Sequence, residues 1–124
     1  MDDGEWEVEA TDQFSDWFAS LDSGQAEALA AAIDLLAAEG PALKRPLVGE
    51  ISASRHKNMK EIRKSVKGRD LRVLFMFDPR RAVILLLGGD KTGKWAEWYE
   101  SEVPQAEDLY DEYLNELRQE GRIS

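Results

Sequence analysis

Trp6, Val8 and Ala10 alternate with acids over residues 5–10, the two-residue period of a half-buried strand. The period then lengthens. Phe14, Trp17, Phe18 and Leu21 fall at helical spacing behind a capping Thr11 or Asp12, and Asp22-Ser23-Gly24 breaks the helix. A second helix through Glu39 gathers Ala26, Leu29, Ala30, Ile33, Leu36 and Ala37 on one side, and Gly40-Pro41 stops it. The two helices read as a hairpin laid on one face of a sheet.

Strands follow. Residues 47–52 and 59–66 come first, then 71–77, which alternates cleanly, and 82–87, which is wholly apolar and reads as a central strand covered on both faces. In 59–66, Ile62 and Val66 share a face with Lys60 and Lys64. That pattern calls either for lysines that snorkel from the sheet's margin or for a bulge. Asp78-Pro79 turns the chain, and residues 88–94 form a flexible turn leading to Trp95, Trp98 and Tyr99. A last helix starts at Pro104, with Ala106, Leu109, Tyr110, Tyr113 and Leu117 on one side. The expectation is a single α+β domain over residues 1–124. Its small, twisted, mainly antiparallel sheet has the order β-α-α-β-β-β-β, with an N-terminal helix hairpin and C-terminal helices.

Gly68-Arg69 has the chemistry of a two-residue hairpin turn. With that turn, Ser65 faces Arg72, Arg63 faces Leu74 and Glu61 faces Met76. Glu61, Arg63 and Arg72 then share one face, and Ile62, Val66, Leu71, Val73, Phe75 and Phe77 take the other. A one-residue slip would drive the charged groups into the core under the helix hairpin, at a prohibitive cost. Arg63 and Arg72, diagonal neighbours roughly 5–8 Å apart, need an acid or an anion between them. Two readings fit: an ion-paired sheet face with Glu61, or a phosphate clamp built on bidentate guanidinium geometry.

Charge sharpens the second reading. The formal net charge is −9, yet the signs are segregated. Residues 1–43 hold 11 acids and no lysine or arginine, residues 44–94 hold 14 bases and 5 acids, and residues 95–124 hold 2 bases and 9 acids. With a Debye length of about 8 Å at physiological salt, a positive groove can persist inside an acidic protein. The chain has no cysteine, which excludes disulfides and thiolate metal sites. Its first ten residues carry acids and no apolar signal core, and no apolar run approaches a membrane span, so a soluble cytoplasmic chain is expected.

The segments WEVEA, GP-x-L-x-RP written here as GPALKRP, SRHKNMKEIR, and LRVLFMFDPRRAVILLLGGDKTGKW followed by a terminal helix resemble the RelE/HigB superfamily of toxins from bacterial toxin–antitoxin systems. The likeness is nearest to the phage-derived HigB-like branch and runs from Trp6 to about Gly121. It implies a RelE-like fold and an mRNA endonuclease that cuts messages on the translating ribosome, uses no metal or cofactor, and is silenced by a cognate helix-turn-helix, HigA-like antitoxin. In that chemistry the 2′-hydroxyl attacks the adjacent phosphate. Carried over by position, Arg72 would hold the scissile phosphate, and Glu61 and Arg63 would be proton acceptor and second phosphate ligand. Lys91 would supply the basic group after the last strand, with Lys94 behind it, and Tyr99 would stack on a base or handle a proton. The C-terminal histidine of some relatives is missing. His56, the sole histidine, is a further acid–base candidate. Arg55, Lys57, Lys60 and Lys94 are the expected RNA contacts.

Other features carry less. GGDKTGK lacks the spacing and the β-α-β setting of a phosphate-binding loop. The acids of the two ends read as solvated helix faces, and the aromatic group Trp95, Trp98, Tyr110 and Tyr113 reads as core packing for the last helix. Two other functions remain open: a non-catalytic antitoxin-binding module acting in autoregulation, and a ribosome-independent RNase.

Overall fold

The computed structural model describes residues 5–78 and 80–123, so the expected turn at Asp78-Pro79 lies partly outside the described residues. The element order is β1 (Glu7–Ala10), α1 (Asp12–Ala19), α2 (Ser23–Glu39), a 3₁₀ turn at Gly40–Ala42, β2 (Val48–Glu50), β3 (Lys60–Val66), β4 (Arg69–Asp78), β5 (Ala82–Asp90) and α3 (Ala96–Gln119). The five strands form one sheet in the order β1-β5-β4-β3-β2, with β1 parallel to β5 and every other pairing antiparallel. No helix among the described residues is long and apolar enough to cross a membrane.

The helix hairpin forms as its capping residues dictate. The Thr11 side chain accepts from the Phe14 amide at 3.0 Å, and Asp22 and Gln25 exchange hydrogen bonds as a capping box. Leu29, Ala32 and Leu36 point into the core, with Ala32 taking the place expected for Ala30, which is exposed. β1 is an edge strand, shorter than expected, and Val8 is exposed on it.

The sheet is covered on both faces. Under α1 and α2 lie Phe14, Leu29, Leu36, Val48, Ile62, Leu71, Val73, Phe75, Val83 and Leu85. Under α3 lie Met59, Leu74, Met76, Ile84, Leu86, Leu87, Trp98, Ala106 and Tyr110. The alternation of β4 therefore feeds two cores, and the face that carries Glu61 and Arg72 is itself half roofed by a helix. Lys60 and Lys64 sit half-exposed on the helix-hairpin face without any break in the β3–β4 pairing, so they snorkel. Lys60 reaches Glu50 at 3.7 Å.

Three expectations need correction. The hairpin turn is Lys67-Gly68, both at positive φ (49° and 80°), rather than Gly68-Arg69. Glycine and an unforeseen left-handed lysine make the mirror-image turn that suits strand twist. Pairing shifts by two residues, so Arg63 faces Arg72 directly, Glu61 faces Leu74 and Ser65 faces Asp70. A two-residue shift preserves faces, which is why the partition of charged and apolar residues still holds. The expected turn over 88–94 also starts too early, because β5 continues through Gly88 and Gly89 to Asp90. Finally, the C-terminal region is one helix. Pro104 lies inside α3 instead of opening a new element.

One irregularity interrupts the β4–β5 ladder. Leu74 pairs with Leu87 but Phe75 pairs with Leu85, leaving Leu86 as the extra residue of a bulge. Its carbonyl accepts from the Thr11 hydroxyl at 2.6 Å, while the Leu85 carbonyl accepts from the Thr11 amide at 3.0 Å. The bulge lets Leu86 and Leu87 both join the core under α3. Beyond it, Gly88 meets the Trp17 ring and Gly89 meets Trp98, where a Cβ would come within 2.6 Å of the indole nitrogen. Neither contact leaves room for a side chain. Gly88→Ala should therefore destabilise the protein by about 1–3 kcal/mol through overpacking, read as a lower denaturation midpoint at unchanged denaturant slope.

Candidate active site

Adjacent positions of β3 and β4 set Glu61 and Arg72 on the face roofed by α3, where both are buried, 7% and 5% exposed. A charge this sheltered must be paired to be tolerated. Arg72 Nε lies 3.4 Å from Glu61 Oε1, and its Nη1 donates to its neighbour's carbonyl, Leu71 O, at 3.0 Å. Tyr99, in the first turns of α3, closes the group. Its hydroxyl donates to Glu61 Oε1 at 2.6 Å and accepts from Arg72 Nε at 3.3 Å. Burial, followed by the bond to Glu61, raises the pKa of the Tyr99 phenol, which keeps it a proton donor.

Glycines make this geometry accessible. Gly49 of β2 pairs with Glu61, and a Cβ there would lie 3.3 Å from both Arg63 Cδ and Glu61 Oε2. Gly89 of β5 pairs with Arg72 and admits Trp98, which fixes the start of α3 and so the position of Tyr99. Arg63 stands half-buried directly across from Arg72, with Glu61 and Tyr99 answering the positive charge on the Arg72 side.

Lys91 follows β5 and is 9% exposed. Its amide donates to Asp70 O at 2.9 Å, and the turn beyond it is held by Thr92, whose hydroxyl accepts from the Asp70 amide at 2.7 Å and whose amide donates to Asp90 Oδ1 at 2.9 Å. The ammonium lies 5.0 Å from the centre of the Trp95 ring and 5.2 Å from that of Tyr99. Burial first, and the Arg72 charge second, lower the pKa of Lys91. Five of the six expected catalytic residues thus gather at one end of the sheet: Glu61, Arg63, Arg72, Lys91 and Tyr99.

His56 is not among them. The β2–β3 loop is bound to α3 instead. His56 Nε2 lies 3.0 Å from Asp111 Oδ1, and the ring stands edge-on to Tyr110. Arg55 Nη2 reaches Asp111 Oδ2 at 2.6 Å and Asp108 at 3.4 Å, and the Arg55 amide donates to Glu107 Oε2 at 2.6 Å. The hydrogen bond from Arg55 and its nearby charge lower the pKa of Asp111. Arg55, expected on RNA, is therefore committed to three acids, and those acids are partners rather than a plain solvated face. Lys57 and Lys94 are exposed, while Lys60 lies on the opposite face.

A second cluster holds the far end of the sheet. Arg80 bonds Asp78 Oδ2 at 2.7 Å, Glu9 Oε2 at 3.2 Å and the Tyr113 hydroxyl, which itself donates to Glu9 Oε1 at 2.6 Å. It ties β1 and the β4–β5 turn to the C-terminal half of α3. Among the described residues no group of three or more His, Cys, Asp or Glu side chains is placed to hold a metal ion.

Sequence reasoning assigned Trp95 to the core, but it is 58% exposed, whereas Trp98 and Tyr110 are buried. Its backbone sits at φ 45°, ψ −116°, the first central position of a type II′ turn, where glycine is usual. A non-glycine residue held there costs about 1–3 kcal/mol. The available signal was proximity, since Trp95 stands four residues after Lys91 and four before Tyr99.

Residues 16–111 match the family described as Phage derived protein Gp49-like (DUF891). Two curated relatives from Mycobacterium tuberculosis, putative toxins HigB2 and HigB3, are each 44% identical, over 83% and 82% of this chain. The chain spans about half of HigB2, 52% of its length, and 88% of HigB3. A mutant of the E. coli toxin RelE in the free state shares the fold, with a TM-score of 0.61 at 13% identity over 82% of this chain and 97% of that one. The chain belongs to the Gp49-like family of phage-derived proteins, within the RelE/HigB toxin group.

Proposed function

We propose that this chain is the toxin of a type II toxin–antitoxin module, a metal-independent endonuclease that cuts mRNA on the ribosome and is held inactive by a helix-turn-helix, HigA-like antitoxin. The observation that carries the reading is the hydrogen-bonded set Glu61–Tyr99–Arg72 with Lys91 beside it. It joins a proton acceptor, a proton donor and two cations at one end of a basic sheet. The kinship with putative HigB toxins supports the biological role.

The chemistry needs no more than these groups. Glu61 takes the proton of the ribose 2′-hydroxyl as that oxygen forms a bond to the adjacent phosphorus. The bond to the 5′-oxygen breaks and Lys91, more acidic than an ordinary lysine, returns a proton to it. The products are a 2′,3′-cyclic phosphate and a 5′-hydroxyl. Arg72 and Arg63 neutralise the phosphorane, the role in which preorganised cations contribute most. Tyr99 orients Glu61 and keeps it from closing fully onto Arg72.

A non-catalytic antitoxin-binding module is favoured by one observation: Arg72 is bonded at Nε and Nη1 and its side chain is only 6% exposed. On that reading the group is a structural ion pair. Cleavage separates the two. Arg72→Ala should abolish growth arrest on induced expression and lower cleavage on purified translating ribosomes about 10²–10³-fold, and Glu61→Gln should lower it about 10²–10⁴-fold. A folded parent that captures antitoxin yet cleaves nothing on purified translating ribosomes selects the binding module, and a folded Arg72→Ala protein as toxic as the parent overturns the placement of the active site.

Lys91 predicts the alkaline limb of the pH profile. Its charged form is disfavoured in the fold, so cleavage should decline at a pH below the ordinary lysine range, and Lys91→Arg should slow the reaction while flattening that limb. His56→Gln, in contrast, should leave the cleavage rate within a few-fold of the parent and lower only the stability of the β2–β3 loop, measured by amide hydrogen exchange.

A further inference from the structure

We infer that Trp95 is a stacking platform for an unpaired nucleobase of the RNA, next to the phosphate gripped by Arg72 and Lys91; the inference rests on the RNA-cleaving reading of that sheet face. Large apolar side chains exposed among the described residues are Val8, Leu35 and Trp95, and of these only Trp95 touches the catalytic group, through Lys91. Its exposure of 58% means that it contributes little to the core. Its backbone conformation favours glycine, so the indole is kept at a position where both packing and local geometry would be served by having no side chain.

The neighbouring aromatics already have structural tasks. Trp98 is buried against Gly89, and the Tyr99 hydroxyl is committed to Glu61. Trp95 alone among the three is largely open to solvent. The Lys91 ammonium stands over one face of the ring, 5.0 Å from its centre, so a base stacked on the solvent-open remainder would have a cation close by for its backbone. Stacking on an indole is tolerant of base identity, and so suits an enzyme that must accept varied messages, while the cation grips the backbone. The ligand class is therefore single-stranded RNA, read at one base by its π-face.

The test is binding of the full chain to a short single-stranded RNA that is 2′-O-methylated throughout and cannot be cleaved, at low salt. Trp95→Ala should weaken binding about 10- to 100-fold, and Trp95→Phe should retain most of the affinity. One abasic position in the RNA should weaken the parent by a similar factor and have no effect on Trp95→Ala. Trp95→Gly should lose the same affinity yet raise the thermal midpoint, because it relieves the backbone; a packing residue would do the reverse. Parent-like affinity in Trp95→Ala, alongside a loss in Arg72→Ala, overturns the platform and leaves the catalytic reading standing. Loss of antitoxin capture instead of RNA affinity in Trp95→Ala also overturns it. Affinity unchanged in both variants, or absent in the parent, overturns the platform and the RNA-binding face together.

Discussion

A guanidinium buried in the middle strand of a five-stranded sheet is the constraint on which the rest of this structure depends. Arg72 occupies the face of β4 that otherwise feeds Leu74 and Met76 into a hydrophobic core. Burying it alone would cost more than a domain of this size can spare, and it is tolerated because Glu61 and the Tyr99 hydroxyl stand against it. Each partner imposes its own requirement. Glu61 needs the space left by Gly49, and Tyr99 needs α3 to begin where it does, which requires Trp98 to close over Gly89. The bond between two charges thus reaches into four strands and a helix.

The partition of the β3 and β4 side chains between the two faces of the sheet was legible in the sequence, as were the order of elements along the chain through β5 and a cap for the first helix at Thr11 or Asp12. Strict alternation in β4 carries that information, and it survives a two-residue error in register because faces repeat every two residues. Register itself was not legible. It turned on Lys67 accepting a left-handed conformation, for which a lysine gives no signal. The consequence is more than bookkeeping: two arginines expected on a diagonal are directly opposed, which raises the demand for anionic company.

At the site, the sequence pointed to Glu61, Arg63, Arg72, Lys91 and Tyr99 and also to His56, which the fold assigns to a different task. In a linear reading Arg55 looks like an RNA contact and His56 like an acid–base group, because their acids lie about fifty residues away on α3. The same blindness to distant partners applies to Glu9 and Arg80, which meet across the sheet's far end. Segregated charge in the chain therefore becomes paired charge in the fold, and the strongly acidic ends serve partly as counterions for the basic middle.

The bulge at Leu86 has one more effect. Continued from the β4–β5 turn without it, the ladder would set Gly88 against Arg72 and Asp90 against Asp70, two like charges facing each other, and would carry Lys91 about 3.3 Å further along and to the opposite side of the sheet. The extra leucine works as a phase adjuster, returning Gly89 and the lysine to the side where Tyr99 waits. The apolar run of β5 can exchange one aliphatic residue for another with modest loss. A change in its length would move the lysine out of reach.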